Sequence, residues 1–108
     1  MSSLPDGGCR KVYASRSDAV GEAALVHPDG ARLRMTWDAG AAPHVGIWMD
    51  RRAYARSDVI AIEPSTGWFD DAAAAARLGA CAWLGAGRAL NWWVELQPAR
   101  ARDETVPG

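Results

Sequence analysis

Short runs of alternating or apolar residues, separated by turn residues, constrain the fold of this chain more than any other feature. In residues 32–37, Leu33, Met35 and Trp37 alternate with polar side chains, which is typical of a strand with one solvated face. Further runs of strand character lie at residues 11–14, 22–27, 44–49, 59–63, 80–84 and 88–97. Turn sequences such as Pro28-Asp29-Gly30 separate them, so we expect six or seven short strands.

One segment favours a helix. Asp70 or Asp71 can act as N-cap before an alanine run, and we expect one or two helical turns over residues 70–78. Many strands with so little helix predict an all-β fold, an antiparallel β-sandwich. A chain of 108 residues has about the size of one domain. We place this domain at residues 10–98, between a flexible N-terminus (1–9) and a polar tail (99–108).

The composition excludes several classes of protein. The formal net charge is −1, and the basic residues, eleven arginines and Lys11, are spread along the chain. We therefore expect no nucleic-acid partner and no membrane partner. No run approaches the roughly 20 apolar residues of a membrane span, and the N-terminus lacks signal-peptide character. The expected location is cytoplasmic.

Metal and cofactor chemistry have little support. Cys9 and Cys81 make neither a disulfide framework nor a metal-ligand cluster. His27 and His44 could join Glu63 as ligands, but their spacing matches no known metal motif. We expect no metal and no cofactor.

The six tryptophans are unusual for a chain of this length. Each is a large apolar body with one N–H donor, and we expect at least four of them in the core. In the last predicted strand Trp92 and Trp93 point to opposite faces. We expect one ring in the core and the other against a neighbouring sheet or subunit.

The clearest candidate for a functional side chain is Glu63, which follows an apolar run and precedes Pro64. Proline lacks a ladder donor and fixes φ, so we expect the strand to end there and to hold Glu63 at its rim. A rigid sheet that presents a carboxylate at its rim is a suitable base for a site. The alternative is a solvated glutamate at a strand end, with no function.

The second half of the chain carries a series of blocks in a particular order. They are PHVGIWM (residues 43–49), IAIEPSTG (60–67), DDA (70–72), LGAGR (84–88) and NWWV (91–94). In this order and spacing they resemble the C-terminal part of the aldose 1-epimerase (galactose mutarotase-like) family, over residues 43–97. The resemblance implies a truncated β-supersandwich fold and carbohydrate binding.

The same resemblance implies a role for Glu63. It matches the family's catalytic glutamate, a general base that takes the proton of the anomeric hydroxyl so that the sugar ring opens and recloses on either face. Partial burial raises the pKa of a carboxyl towards neutrality, which suits reversible proton removal. The family's histidines lie in an N-terminal portion that has no counterpart here, so the resemblance identifies no general acid.

Side chains near Glu63 are the candidates for binding the sugar. The aromatic rings would offer apolar faces and the charged groups would bond hydroxyls. For His44, the alternative is a loop residue that caps backbone or faces solvent. For Trp68, the alternative is a side chain that covers the core. The candidates are Trp68, Phe69, Asp70, Asp71, Arg56 and His44.

A supersandwich of this length leaves sheet edges and one core face uncovered, which is hazardous. We therefore predict a homodimer, or a partner chain, that covers the exposed sheet face. The predicted function is carbohydrate binding, with sugar epimerisation or mutarotation if Glu63 is active. The alternative is a non-catalytic, self-associating β-sandwich module, because a base without an acid partner loses a contribution of about 10²–10⁴-fold.

Overall fold

A computed structural model of the chain describes residues 4–15 and 18–100. Within these ranges six strands and one helix follow one another: β1 (Cys9–Tyr13), β2 (Glu22–Val26), β3 (Arg32–Trp37), β4 (His44–Arg51), β5 (Asp58–Ser65), α1 (Ala72–Arg77) and β6 (Val94–Ala99). They form two antiparallel sheets, ordered β1-β4-β5 and β2-β3-β6. The predicted all-β, antiparallel fold with one short helix is confirmed. The predictions for residues 1–3 and 101–108 lie outside the described residues.

The two sheets face each other across an apolar core centred on Trp37 of β3. Trp37 packs with Ala42, Val45 of β4 and Ile62 of β5, and Met35 lies at the periphery of the cluster. The indole Nε1 of Trp37 donates a hydrogen bond to the Ala42 carbonyl at 2.9 Å, which satisfies its buried donor. The alternation predicted for residues 32–37 is confirmed, since the arginines of this strand are exposed.

Helix α1 lies within the alanine-rich segment that predicts it. Asp71 is the N-cap, and its carboxylate accepts a hydrogen bond from the Ala73 N–H at 2.9 Å. After the helix Gly79 has φ 68°, and the Ala80 N–H donates to the Ala75 carbonyl at 2.8 Å, which closes the C-terminal turn. No helix in residues 4–15 or 18–100 has the length and apolar character needed to span a membrane.

The prediction that Pro64 ends its strand is wrong. Strand β5 continues through Pro64 to Ser65, with Pro64 opposite Val45. Because β5 is an edge strand of its sheet, one of its sides needs no ladder donors, and proline is tolerated there. Glu63 therefore lies inside the ladder, opposite Gly46.

The segment from residue 80 to residue 93 differs most from expectation. The strand predicted at 80–84 is absent, and the strand predicted at 88–97 begins only at Val94. Every residue from 82 to 98 is exposed. Apolar runs become strands only where a neighbouring strand offers a ladder, and β3 offers one to residues 94–99 alone.

Most of the tryptophans are outside the core, contrary to expectation. Trp37 is the one buried tryptophan among the described residues. Trp83, Trp92 and Trp93 are 83%, 39% and 53% exposed. Neither ring of the Trp92–Trp93 pair is therefore buried in the core, and a large apolar surface lies open along this segment.

Residues 4–8 belong to the segment predicted to be flexible, and they are hydrogen-bonded to the end of β4. The Gly7 N–H donates to the Arg51 carbonyl at 2.6 Å, and the Arg51 N–H donates to the Gly8 carbonyl at 2.9 Å. The Arg51 side chain also donates to the carbonyl of buried Leu4 at 2.7 Å. These contacts extend the pairing of β1 with β4.

Buried Asp50 organises the loop that joins β4 to β5. Its carboxylate accepts hydrogen bonds from the backbone N–H groups of Ala53 at 2.7 Å, Ala55 at 2.8 Å and Tyr54 at 3.1 Å. Burial of the carboxylate opposes ionisation, but the donors of Ala55, Ala53 and Tyr54 outweigh it and lower the pKa of Asp50. The loop therefore depends on an ionised aspartate.

Candidate functional site

A cavity of about 220 Å³ lies on the β1-β4-β5 sheet, on the face turned away from the core. Tyr13 is opposite Gly46, and Gly46 is opposite Glu63, so the three residues form one row across the sheet. Residues directly opposite each other point to the same face. Because the middle position has no side chain, the backbone of Gly46 is the floor of the cavity, and Tyr13 and Glu63 form its walls.

Gly46 keeps the cavity open. A Cβ atom at this position would lie 2.9 Å from Cε of Lys11 and 3.1 Å from Cε1 of Tyr13. Both distances are shorter than ordinary van der Waals contact between carbon atoms. Any larger residue would therefore displace the side chains that line the site.

Lys11 joins the two carboxylates of the site. Its Nζ lies 3.1 Å from Oε2 of Glu63 and 2.8 Å from Oδ1 of Asp70. The hydrogen bond to Asp70 raises the pKa of Lys11, although partial burial opposes this, and Tyr13 and Glu63 add to the rise. The same contact with Lys11, followed by the one with Tyr13, lowers the pKa of Asp70. Lys11 and Asp70 are thus both charged at neutral pH.

An aromatic cluster borders the cavity. The rings of Tyr13 and Phe69 stack with centroids 5.0 Å apart, and Trp68 lies 5.2 Å from Phe69. The Tyr13 hydroxyl donates to Asp70; partial burial and the nearby carboxylate raise the pKa of Tyr13, against the effect of Lys11. Phe69 has φ 76° and is half exposed, and such backbone strain is found mainly where the surroundings hold a residue in place.

His44 forms part of the cavity wall. It is the first residue of β4, opposite Ser65 and one row along from Gly46 and Glu63. It is 9% exposed, and its Nδ1 has no hydrogen-bond partner among the described residues. His44 therefore lies in a strand and does not face solvent.

The remaining predicted residues lie outside the cavity. Trp68 donates from Nε1 to the Ala14 carbonyl at 2.9 Å, and its ring centroid lies 6.1 Å from that of Tyr13. Asp71 caps α1. Arg56 lies in the loop between β4 and β5, at the end of the hairpin remote from His44 and Ser65. The structure thus brings Glu63, His44 and Phe69 into the cavity wall, with Asp70 held at its edge by Lys11.

Sequence reasoning missed Lys11, Tyr13 and Gly46. Two signals were available: Lys11 is the single lysine of the chain, and Lys11 and Tyr13 share one face of a short strand. Neither shows which residues of other strands lie beside them, because that depends on the register.

Comparisons with models of protein families, with curated proteins and with solved structures found no match. Within the described part of the chain, no group of three or more histidine, cysteine, aspartate or glutamate side chains could hold a metal ion. The chemistry of the site is therefore argued from its own side chains.

Proposed function

We propose that this cavity binds a neutral monosaccharide. The proposal is supported by the combination of a carboxylate (Glu63), an ammonium group (Lys11) and a half-exposed aromatic ring (Phe69) around one cavity. Sugar hydroxyls donate to carboxylates and accept from ammonium groups, while the apolar face of a sugar ring packs on an aromatic side chain. The volume is below the ~300–1,000 Å³ of pockets for drug-sized ligands, which favours a single ring.

The charges of the site favour a neutral ligand over an anionic one. Lys11 is the one cation of the cluster and is shared by Glu63 and Asp70. A phosphate or carboxylate on the ligand would meet two negative side chains, and like charges at short range are unfavourable. Sugar phosphates and sugar acids are therefore poor candidates.

Mutarotation is the second candidate function, and it includes the proposed kinship with the aldose 1-epimerase family. Glu63 would take the anomeric proton on Oε1, since Lys11 is paired with Oε2. The observation that favours catalysis is the position of His44, which shares the face of Glu63 in the next row of the ladder. An imidazole there could supply the acid that the sequence did not identify.

Saturation-transfer NMR with a panel of free monosaccharides tests binding. We expect transfer to at least one sugar with the wild type and its loss in Glu63→Gln. Glu22→Gln is the matched control, because Glu22 is also a strand glutamate in an ion pair, with Arg34 on the other sheet. Equal transfer in wild type and Glu63→Gln, or none in the wild type, contradicts the proposal.

Polarimetry of freshly dissolved glucose and galactose tests catalysis separately. If Glu63 is the base, the wild type accelerates mutarotation over buffer, and Glu63→Gln loses about 10²–10⁴-fold of that acceleration. A wild-type rate equal to that of buffer removes the catalytic role and leaves binding to be judged from the NMR result.

We also propose that the chain is a homodimer of the cytoplasm. Support for the dimer comes from the exposed apolar side chains between residues 83 and 96, because monomers rarely leave so large an apolar surface open. Cys9 and Cys81 are free thiols, which suits a reducing compartment.

A further inference from the structure

Strand β6 has an uncovered apolar face. Val94 is opposite Trp37, and Leu96 is opposite Met35, so both point to the side of the sheet on which the core lies. Val94 and Leu96 are nevertheless 44% and 56% exposed. The facing sheet therefore covers Trp37 but leaves β6 open to solvent.

The outer edge of β6 is open as well. It is the last strand of its sheet, and no strand within the described residues pairs with its outer edge. The Asp38 N–H donates to the carbonyl of Trp93, directly opposite in the register, at 3.2 Å. Because the direction of backbone groups alternates along an antiparallel strand, those of residues 95 and 97 also point to β3. The N–H groups of Val94 and Leu96, and the carbonyls of 94, 96 and 98, therefore point to the open edge.

The apolar surface is large enough for a dimer interface. Three tryptophans and four aliphatic side chains between residues 83 and 96 are exposed, and they offer roughly 500–600 Å² of apolar surface per chain. Two copies together offer roughly 1,000–1,200 Å², near the lower end of what specific interfaces bury. A second copy of this chain is therefore the occupant to consider, and pairing of β6 with β6 covers the part of this surface that lies on the strand, Val94 and Leu96.

We propose that β6 pairs antiparallel with β6 of a second copy, about a twofold axis at Leu96. This inference deepens the proposed homodimer and is independent of sugar binding. Each Leu96 N–H donates to the carbonyl of the partner's Leu96, and each Val94 N–H donates to the carbonyl of the partner's Pro98. Pro98 has no N–H, so the ladder ends there. The two β2-β3-β6 sheets become one six-stranded sheet, in which each Leu96 packs against the partner's Leu96 and each Val94 packs against the partner's Pro98.

The side chains select this register. Pairing of Val94 with the partner's Leu96 would place two Glu95 carboxylates opposite each other, which is unfavourable. A shift of the register by one residue would place Glu95 opposite the partner's Leu96, on the apolar face. The backbone N–H and carbonyl of Glu95 point to β3, so they could not bond to the partner. With Leu96 on the axis, Glu95 faces the partner's Gln97. A Gln97 amide is a suitable donor, since it already donates to Glu95 of its own chain at 2.6 Å.

Mass measurement by light scattering tests the surface. We expect the wild type at about twice the 11.5 kDa of the chain, and Leu96→Arg at the mass of the monomer, because it places two cations on the axis. Val26→Arg is the control, as Val26 is an exposed apolar residue on β2, the other edge of the same sheet. It should stay dimeric. Leu96 is exposed, so Leu96→Arg should keep its fold, which circular dichroism checks.

Cysteine cross-linking tests the register. Single cysteines at positions 95, 96 and 97, in a chain with Cys9→Ser and Cys81→Ser, are oxidised with diamide. We expect disulfide-linked dimer chiefly for Leu96→Cys, since residues paired by hydrogen bonds have Cα atoms about 5.5 Å apart, within disulfide range. Stronger linkage at 95 or 97 overturns the register. If Leu96→Arg is dimeric, β6 is not the interface, but the chain can still be a homodimer. If the wild type is monomeric at micromolar concentration, both the homodimer and the β6 interface are wrong.

Discussion

Lys11 reaches Glu63 by passing over Gly46, and the 3.1 Å ion pair between Lys11 and Glu63 exists because Gly46 has no side chain. The pair joins β1 to β5 across the central strand β4. Asp70 and the stacked ring of Phe69 then border the space above the floor. One glycine thus determines both the electrostatics and the volume of the site.

Gly46→Ala should separate binding from stability. The new Cβ would push Lys11 and Tyr13 aside and reduce the cavity, so we expect sugar affinity to fall by at least about tenfold. Replacing glycine by alanine in a strand gains roughly 0.5–1 kcal/mol, which offsets part of the strain, so the free energy of unfolding should change by less than about 1 kcal/mol. Calorimetric titration and urea denaturation measure the two quantities, and unchanged affinity contradicts the assignment of the floor.

Phe69 should respond differently to glycine and alanine. Its φ of 76° is unfavourable for any residue with a Cβ, so Phe69→Gly relieves strain of about 1–3 kcal/mol, against a stacking loss of about 0.5–1.5 kcal/mol. Phe69→Ala loses the stacking without this relief. We expect Phe69→Gly to be the more stable of the two in urea, and both to bind sugar more weakly. Equal affinity of both variants and the wild type would show that the ring does not contact the ligand.

Asp50 should be the most sensitive aspartate for stability. Asp50→Ala leaves the backbone N–H groups of Ala53, Tyr54 and Ala55 without their acceptor, and buried donors without partners are costly. We expect a clearly lower Tm for Asp50→Ala than for Asp58→Ala, which is the control at the other end of the same loop. Asp58 is exposed, and its ion pair with Arg51 is long at 3.6 Å. Similar melting temperatures for the two variants would exclude this role.

Asp70 should contribute to stability in a pH-dependent way. Its pKa in the folded chain lies below the ordinary 3.8, chiefly because of the hydrogen bond from Lys11. The stability that ionised Asp70 adds to the folded chain is therefore present above about pH 4 and is lost as the pH falls through the pKa of Asp70 in the folded chain. In Asp70→Asn the decline in Tm as the pH falls below about 4 should be shallower than in the wild type. Parallel profiles of Tm against pH for the wild type and Asp70→Asn would contradict this contribution of Asp70.

Local patterns in the sequence predicted much of the fold. The alternation around Met35 and Trp37 identified β3, and the carboxylate before the alanine run identified the cap of α1, because both depend on neighbouring residues alone. Glu63 was selected from its position before Pro64, although the strand does not end there, and Phe69 was selected because it lies close to Glu63 in the sequence. Their partners Lys11 and Tyr13 are more than 45 residues away in the chain, and only the register places them together.

The C-terminal segment shows the limit of such patterns. Leu90, Trp92, Val94 and Leu96 alternate as a buried strand would, yet only the last two enter a strand and all four are exposed. Alternation indicates which face is apolar, but not whether the same chain covers it. An apolar face completed by a second copy gives the same pattern as one buried in the core.

The most direct test of the sugar site is a titration of the ¹⁵N-labelled protein with the monosaccharide that gives the strongest saturation transfer, followed by ¹H–¹⁵N correlation spectra. We predict saturable shifts at the amides of Gly46, Gly67 and Phe69, which line the cavity, and none at Arg56. Saturable shifts confined to other parts of the chain, or no shifts at all, would contradict a sugar site at Glu63.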